Sequence, residues 1–593
     1  MSNASLILDK RHEPFPPSDD PEYVKKQLTS ICDAAGDSQL LKTLHSRFDS
    51  LWRHVQARTF EGKTVAPLSL HLSRSATFEN AGLALHPLYG FAWIPGSGLK
   101  GLARAYARLN ASSDDITRIL GHEPLDTEDE EDLAAGSVVF HDAYPIEWPK
   151  LHIEILNNHH SKYYAGEQPP YDDEDPIPVS YLAVNENTRF RFAISPRTPN
   201  SANDLDLAEE WLRGGLRWLG AGAKTNSGHG YFEFGETKVL PPKGRSIWSA
   251  ELELVSPAFL AGALQKEQDC TLRPATLRGL LRWWWRALHS GYRSIDQLRE
   301  WEKLLWGAAE QPGAIGIRVV PVVVKKPKLF DPDVITKQRS LSEPPGSDPR
   351  KWTNSLTYLA YGMQRIDSKE KPERSKPARY YIEPGARWCV SFSCRAARGE
   401  VGSLNEKQVA HQAAAALCAL SRLGGVGGKS RHGFGSLNVQ NIKDLDWDGS
   451  PKALAWVHEL KASTLPINSS QTQGSSLAPQ RMIHPTTLLS LKGGDAWAAL
   501  HDLGSKLQSF AQKQKHNRAK SALGLPRRMR ELSQLDLADK RLASPVHFRL
   551  VKENNTYKCQ VTIFKTALPR NVEKLQGEIY KELLKHLGIQ NDA

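Results

Sequence analysis

Leu219-Gly-Ala-Gly-Ala-Lys224-Thr-Asn-Ser-Gly228-His-Gly230-Tyr-Phe232 and Gly425-Val-Gly-Gly-Lys429-Ser-Arg-His-Gly433-Phe-Gly435 are one loop written twice. An offset of 205 residues pairs Gly220 with Gly425, Gly222 with Gly427, Lys224 with Lys429, Gly228 with Gly433 and Gly230 with Gly435. A helix-periodic stretch precedes each copy, Leu207 to Leu219 and Gln408 to Leu423, and strand-like residues follow. Glycine lacks Cβ, so the backbone can take positive φ and approach a ligand closely. Successive N–H groups can then turn inward to hold an anion, with one lysine adding a mobile charge. Phosphate is the expected guest.

A second repeat lies upstream of each loop. Ile94-Pro-Gly-Ser-Gly-Leu-Lys100-Gly101-Leu-Ala-Arg104 aligns with Leu272-Arg-Pro-Ala-Thr-Leu-Arg278-Gly279-Leu-Leu-Arg282. Both continue with a third basic residue, and a spacing of four places Lys100, Arg104 and Arg108, and Arg278, Arg282 and Arg286, on one helical face each. The turn-forming residues predict helix starts near Ser97 and Thr276, with the hydroxyls as caps. A cation in the first turn opposes the helix dipole, and a bound anion would relieve that conflict. The competing reading of each stretch is a solvated basic face whose glycine packs against a sheet.

The 593 residues carry a net charge of +11, a balance that favours a polyanionic partner. Six cysteines show no CxxC and no zinc-ligand spacing with histidine, so they read as reduced thiols, and no metal or other cofactor is expected. The N-terminus lacks a long apolar segment and no run of 18 apolar residues occurs, which predicts a soluble, cytoplasmic protein with no membrane partner.

In order, the pattern predicts a helix over 38–57, strands from Leu68 and from Leu85, the first basic helix, strands near 137–142, 181–184 and 190–194, and a linker over Pro241–Ser246. The second half restarts with a strand at Ala250–Val255. Of Trp283, Trp284 and Trp285, two are expected in the core and at most one against a ligand, because consecutive helical residues cannot share a face. Between 513 and 541 basic residues dominate and form a further candidate surface. The fold class is α+β: tandem ferredoxin-like units with antiparallel sheets, each ending in helix, Gly-rich loop and strand.

These motifs resemble the repeat-associated mysterious proteins (RAMPs) of type III-B CRISPR systems. Residues 1–245 resemble the sixth subunit of the Cmr effector, through Leu85-His-Pro-Leu-Tyr-Gly, the Pro-Gly-Ser helix start, Phe140-His-Asp-Ala-Tyr-Pro and His159-His-Ser-Lys-Tyr-Tyr. Residues 246–593 resemble the first Cmr subunit, through Ser256-Pro-Ala-Phe-Leu-Ala-Gly, Leu277 to Ala287, Tyr358-Leu-Ala-Tyr-Gly and the second loop. The resemblance implies RRM-like folds, one in the first region and two in tandem in the second. It also implies a place at the end of the effector holding the 3′ region of the guide crRNA, contact with target RNA, and the repeated backbone RAMP subunit and the small helical subunit as neighbours. The departure is that two polypeptides of the family appear here as one.

The functional expectation is RNA binding without catalysis. Lys100, Arg104, Lys224, Arg278, Arg282, Lys429 and Arg431 would contact phosphates, Gly220, Gly222, Gly425 and Gly427 would admit the backbone, and Tyr231 or Phe434 could stack a base. An NTPase reading fails, because Leu423 stands where G-x-x-x-x-G-K-[ST] needs its first glycine and the helix precedes the loop. The alternative is an endoribonuclease acting on guide precursor or target RNA, for which Asp142, His152, His159, His160 and Glu79 could supply acid, base or metal ligands. Cap, buried hydrogen-bonding and turn roles compete for each of them.

Overall fold

A computed structural model describes residues 3–10, 21–71, 82–122, 134–170, 174, 176–290, 293–308, 310–343, 353–366, 375–460, 482–514, 544–554, 556–564 and 570–589. Three larger β-sheets follow one another along the chain, accompanied by two-stranded pairs, and the first two share one topology. The first uses β1 (Arg58–Thr64), β2 (Val138–Phe140), β5 (Arg189–Pro196) and β6 (Phe232–Glu233), with β3 (Leu151–Asn158) and β4 (Ile177–Val184) paired separately as a hairpin. Its spatial order is β2-β5-β1-β6, all antiparallel, and α1 (Gly96–Asn110), α2 (Ser113–Leu120) and α3 (Leu205–Gly214) complete the unit.

The second sheet repeats that arrangement with β7 (Arg245–Leu254), α4 (Pro274–His289), α5 (Ile295–Trp306), β8 (Ile315–Val323), β9 (Arg387–Arg395), α6 (Glu406–Leu423) and β10 (Leu437–Lys443). Its order, β10-β7-β9-β8, places the fourth strand beside the first and the third beside the second. This is the ferredoxin-like βαββαβ order, and it confirms the expected fold class. Strict alternation along β7 sends Trp248, Ala250, Leu252 and Leu254 into the core. Alanines 413–416 let α6 sit buried on every side, and a capping box between Asn405 and Gln408 closes its N-terminus.

The third sheet holds β11 (Met482–Ser490), β12 (Val546–Glu553) and β13 (Thr556–Phe564), with α7 (Ala496–Lys513) and α8 (Arg570–His586). Its outer position beside β12 is filled by His432 and Gly433 of the second Gly-rich loop, pairing in parallel with Phe548 and Arg549. Among the described residues no helix is long and apolar enough to cross a membrane.

Two expectations need correction. The stretches at Leu68 and Leu85 form only isolated bridges, while the central strand of the first sheet is β1, read from the sequence as the connection after the first long helix. Its Arg-Thr-Phe-Glu-Gly-Lys-Thr composition hides the alternation of Phe60, Gly62 and Thr64 inward. The supposed linker over 241–246 is pinned: Asn110 accepts from the Lys243 N–H at 3.1 Å, Tyr106 donates to the Leu240 carbonyl at 2.8 Å, and Arg245 already belongs to β7.

The two halves meet around one carboxylate. Glu302 of α5 pairs with Arg282 at 2.7 Å and Arg286 at 2.9 Å, and accepts from Tyr163 and Tyr164 of the first half at 3.1 and 3.0 Å. Burial alone would raise its pKa, but Arg286 and Arg282 hold it down at about 2. Close by, Arg273 pairs with Glu154 at 2.9 Å. Glu302→Gln leaves two buried guanidinium groups short of charge, and calorimetry should show a loss of about 3–5 kcal/mol at neutral pH. Because the folded pKa lies below the unfolded one, this contribution is full above pH ~4.5 and lost toward pH ~2, so the gap between wild type and variant should close over that range.

Candidate RNA-facing loops and helices

The two Gly-rich loops share one backbone conformation. Paired φ values are +81° and +79° at Gly222 and Gly427, +56° and +60° at Lys224 and Lys429, +89° and +90° at Gly228 and Gly433, and +74° and +65° at Gly230 and Gly435. Gly220 has φ +81°, whereas its counterpart Gly425 stays outside the left-handed region. Each loop is stitched to an extended segment of its own unit. Ala223 N–H donates to Ser69 O at 2.7 Å and Gly230 N–H to Pro67 O at 2.8 Å. In the second copy Gly428 N–H donates to Phe259 O at 2.9 Å and Gly435 N–H to Pro257 O at 2.7 Å.

The glycines therefore answer first to the fold. A Cβ on Gly222 would collide with the Ser69 carbonyl oxygen and one on Gly427 with that of Phe259; on Gly230 and Gly435 it would strike the backbone of Ala221 and Val426. Gly220 and Gly425 press in the same way on backbone across the loop, at His229 and Gly435. The close approach read from the sequence is thus an approach of the loop to its own unit.

Each loop also touches the next unit. A Cβ on Gly228 would lie 2.5 Å from Pro274 Cβ at the start of α4, and Asn226 donates to Gly313 O at 3.1 Å. In the second copy Phe548 N–H donates to Arg431 O at 2.9 Å, and the Arg431 guanidinium donates to Ser544 O at 3.1 Å.

The lysines behave differently from the glycines. Lys224 and Lys429 are half-buried, neither ammonium makes an ion pair or hydrogen bond with a described residue, and burial lowers the pKa of each. The Lys224 ammonium stands 5.0 Å from the centre of the Tyr181 ring. A non-glycine residue in the left-handed region is strained, and here both copies spend that strain on a cation without a counter-charge.

The basic helices divide in the same manner. Helix α1 begins at Gly96, whose N–H donates to Asp142 Oδ1 at 2.7 Å, and α4 begins at Pro274, so neither hydroxyl expected at Ser97 or Thr276 acts as the cap. A negative side chain from the first sheet serves the dipole instead. Arg104 donates to Leu120 O at 2.7 Å and Gly121 O at 3.1 Å, closing the C-terminus of α2. Arg282 is committed to Glu302, and Arg278 is buried. Lys100 remains half-buried; desolvation and the nearby Arg104 and Arg197 lower its pKa.

Three glycines of these helices have no packing reason among the described residues. Around Gly101 and Gly279, equivalent positions of the two repeats, a Cβ would meet nothing within 4 Å, as is also true of Gly98. The reading in which this glycine packs against a sheet is overturned. Helical glycine costs roughly 0.5–1 kcal/mol relative to alanine, and no described neighbour accounts for that cost in either copy.

Other expected contacts resolve locally. Tyr231 and Phe434 are 4% and 0% exposed, so neither can stack a base. Trp284 and Trp285 are core residues, while Trp283 is half-buried under Arg431, whose guanidinium lies 5.7 Å from its ring. Asp142 also accepts from Tyr144, His152 faces Asn185 at 2.6 Å and Glu154 at 3.3 Å, and His160 is buried 3.8 Å from Glu174. No group of three or more His, Cys, Asp or Glu side chains among the described residues is arranged to hold a metal. Glu79 and the basic stretch from residue 515 onward lie outside the described residues.

A family model described as the RAMP superfamily matches residues 67–233 and 251–438. The chain is 26% identical to the CRISPR system Cmr subunit Cmr1-2 of Pyrococcus furiosus, over 33% of this chain and 96% of that protein. It is 27% identical to the Cmr6 subunit of the same organism, over 32% of this chain and 72% of that protein. The crystal structure of Cmr1 from Pyrococcus furiosus matches with a TM-score of 0.36 at 18% identity, covering 56% of this chain and 96% of that one.

Gly101→Ala and Gly279→Ala should leave melting temperature unchanged or raise it by a few degrees, whereas Gly222→Ala and Gly435→Ala should lower it markedly. Thermal unfolding of the four variants separates the two classes of glycine.

Proposed function

The chain belongs to the RAMP superfamily, and from that premise we propose that it is a non-catalytic, RNA-binding subunit of a type III-B CRISPR Cmr effector. It combines in one polypeptide the roles of the sixth and first subunits. In this reading it works in the cytoplasm, holds the 3′ region of the guide crRNA and contributes to target RNA binding. The backbone RAMP subunit and the small helical subunit are its neighbours.

The single observation that carries the reading is the pair of left-handed, half-buried lysines, Lys224 and Lys429, presented without a counter-charge at equivalent points of two repeated loops. A desolvated ammonium in need of an anion, met twice at one structural position, fits a repeated backbone contact better than a single small ligand. Contacts of this kind hold phosphate without reading sequence, as a guide-binding protein requires. The open glycines at 101 and 279 add room for a sugar-phosphate backbone beside Lys100 and the start of α4.

Lys224→Ala and Lys429→Ala should each weaken binding of single-stranded RNA and reduce the slope of log affinity against log salt by about 0.7, with far-UV circular dichroism unchanged. Filter binding at several salt concentrations is the test. Slopes equal to wild type in both variants would sink the assignment of the loops to RNA.

A further inference from the structure

Five arginines are linked as neighbours around Tyr231 where the two halves meet, and none of them pairs with a carboxylate among the described residues. Arg217 lies in the turn between α3 and the first loop, Arg245 opens β7, Arg278 is in α4, Arg318 in β8, and Arg395 ends β9 opposite Arg245. Tyr231 sits among them. The Arg318 guanidinium is 5.0 Å from its ring and 5.1 Å from that of Trp218, and Arg245 and Arg278 both lie within electrostatic reach of its hydroxyl.

The polar contacts of this cluster are all to neutral groups. Arg318 donates to Arg217 O at 3.1 Å, Arg245 to Ser393 Oγ at 3.2 Å, and Arg395 to Pro312 O at 2.7 Å. The Arg278 guanidinium makes no hydrogen bond or ion pair with any described residue; the residue is 8% exposed and its Nη1 is buried without a partner. Desolvation, with Arg282 adding to it, pulls its pKa down to about 9.

A guanidinium buried without a carboxylate is costly, and one left in place calls for a reason, of which a bound anion is one. Nor are acids lacking nearby, since Glu302 neutralises Arg282 and Arg286, and Glu154 neutralises Arg273. The planar guanidinium fork matches the oxygens of a phosphate, and several forks around one point suit a doubly liganded phosphodiester. Arg217, Arg245, Arg318 and Arg395 are half-buried, so each keeps part of its surface in solvent while Arg278 is buried.

We infer that the junction between the halves is a phosphate-binding cleft, with Arg278 as its floor and Arg217, Arg245, Arg318 and Arg395 as its rim, holding one backbone phosphate of single-stranded RNA. Arg217 comes from the first half and the other four from the second, so the cleft is complete only when both are docked. The identity of the ligand rests on the RNA-binding reading above; the cleft itself does not.

The test uses the full chain, inorganic phosphate as a probe, and labelled single-stranded RNA. Phosphate should raise the wild-type melting temperature more than chloride does at equal ionic strength. Arg278→Met should melt above wild type in phosphate-free buffer, because it removes an unpaired buried charge, and should lose the phosphate response and bind RNA about tenfold more weakly. Arg318→Gln, on the rim, should fold normally and weaken RNA binding with a shallower salt dependence. RNA affinity unchanged in both variants, with wild type binding RNA, would overturn the cleft and leave the general reading standing. No RNA binding by any form, with a phosphate response confined to wild type, would overturn RNA as the ligand. A phosphate response retained by Arg278→Met would overturn the role of the floor.

Discussion

Glycine backbone at φ near +80°, pressed against the carbonyl of a neighbouring strand segment, is the constraint on which the succession of sheets depends. Gly222 and Gly427 can make that approach only without a Cβ, and Gly230 and Gly435 close the loop behind them. The same loop then reaches forward: Gly228 meets Pro274 of the second unit, and His432 and Gly433 fill the outer position of the third sheet. A loop that fitted its own unit loosely could not place the next one, because both contacts are made by backbone within a dozen residues. Two copies of one device thus join three sheets in series.

Once the loops are locked, the cations of the molecule fall into two groups. Arg104, Arg273, Arg282 and Arg286 are satisfied by carbonyls or carboxylates inside the protein; Arg286 and Arg282 hold Glu302 ionised against its burial, and the His152 hydrogen bond together with Arg273 does the same for Glu154. Lys224, Lys429 and Arg278 are desolvated with no described counter-charge. For the proposed function the contrast matters more than the total of +11, because a paired cation contributes little to binding a polyanion while a desolvated unpaired one would gain a counter-charge from it.

The repeated loops, the basic helices and the ferredoxin-like class were legible in the sequence because glycine spacing and four-residue basic spacing are local signals. What escaped notice was set by tertiary contact. Strand β1 carries three charged side chains in seven residues and announces itself only through Phe60 and the space that Gly62 leaves for Phe234. Arg282 and Arg104 look the same as Lys100 in sequence, yet Glu302 stands in a later helix and the Leu120 carbonyl at the end of α2, neither visible from the spacing. Tyr231 and Phe434 follow glycine and read as surface aromatics, but both are buried, Phe434 in the core of the third unit and Tyr231 beneath the Arg318 guanidinium. Of the junction arginines, only Arg278 carried a motif signal. Arg245 and Arg318 sit in β7 and β8, where no motif marks them out.

Joining the halves covalently changes what the junction must supply. Separate subunits would meet at the expense of translational and rotational freedom, and buried pairs such as Glu302 with Arg282 and Arg286 return little of that after desolvation. In one chain the encounter is intramolecular, and the connection is short, held to α1 through Asn110 and Tyr106, and already a strand at Arg245. The two Gly-rich loops are therefore oriented relative to each other before any ligand arrives. A polyanion that spans both meets a surface whose ordering has been settled by folding, so the unpaired lysines and the junction arginines can act together rather than being gathered one at a time.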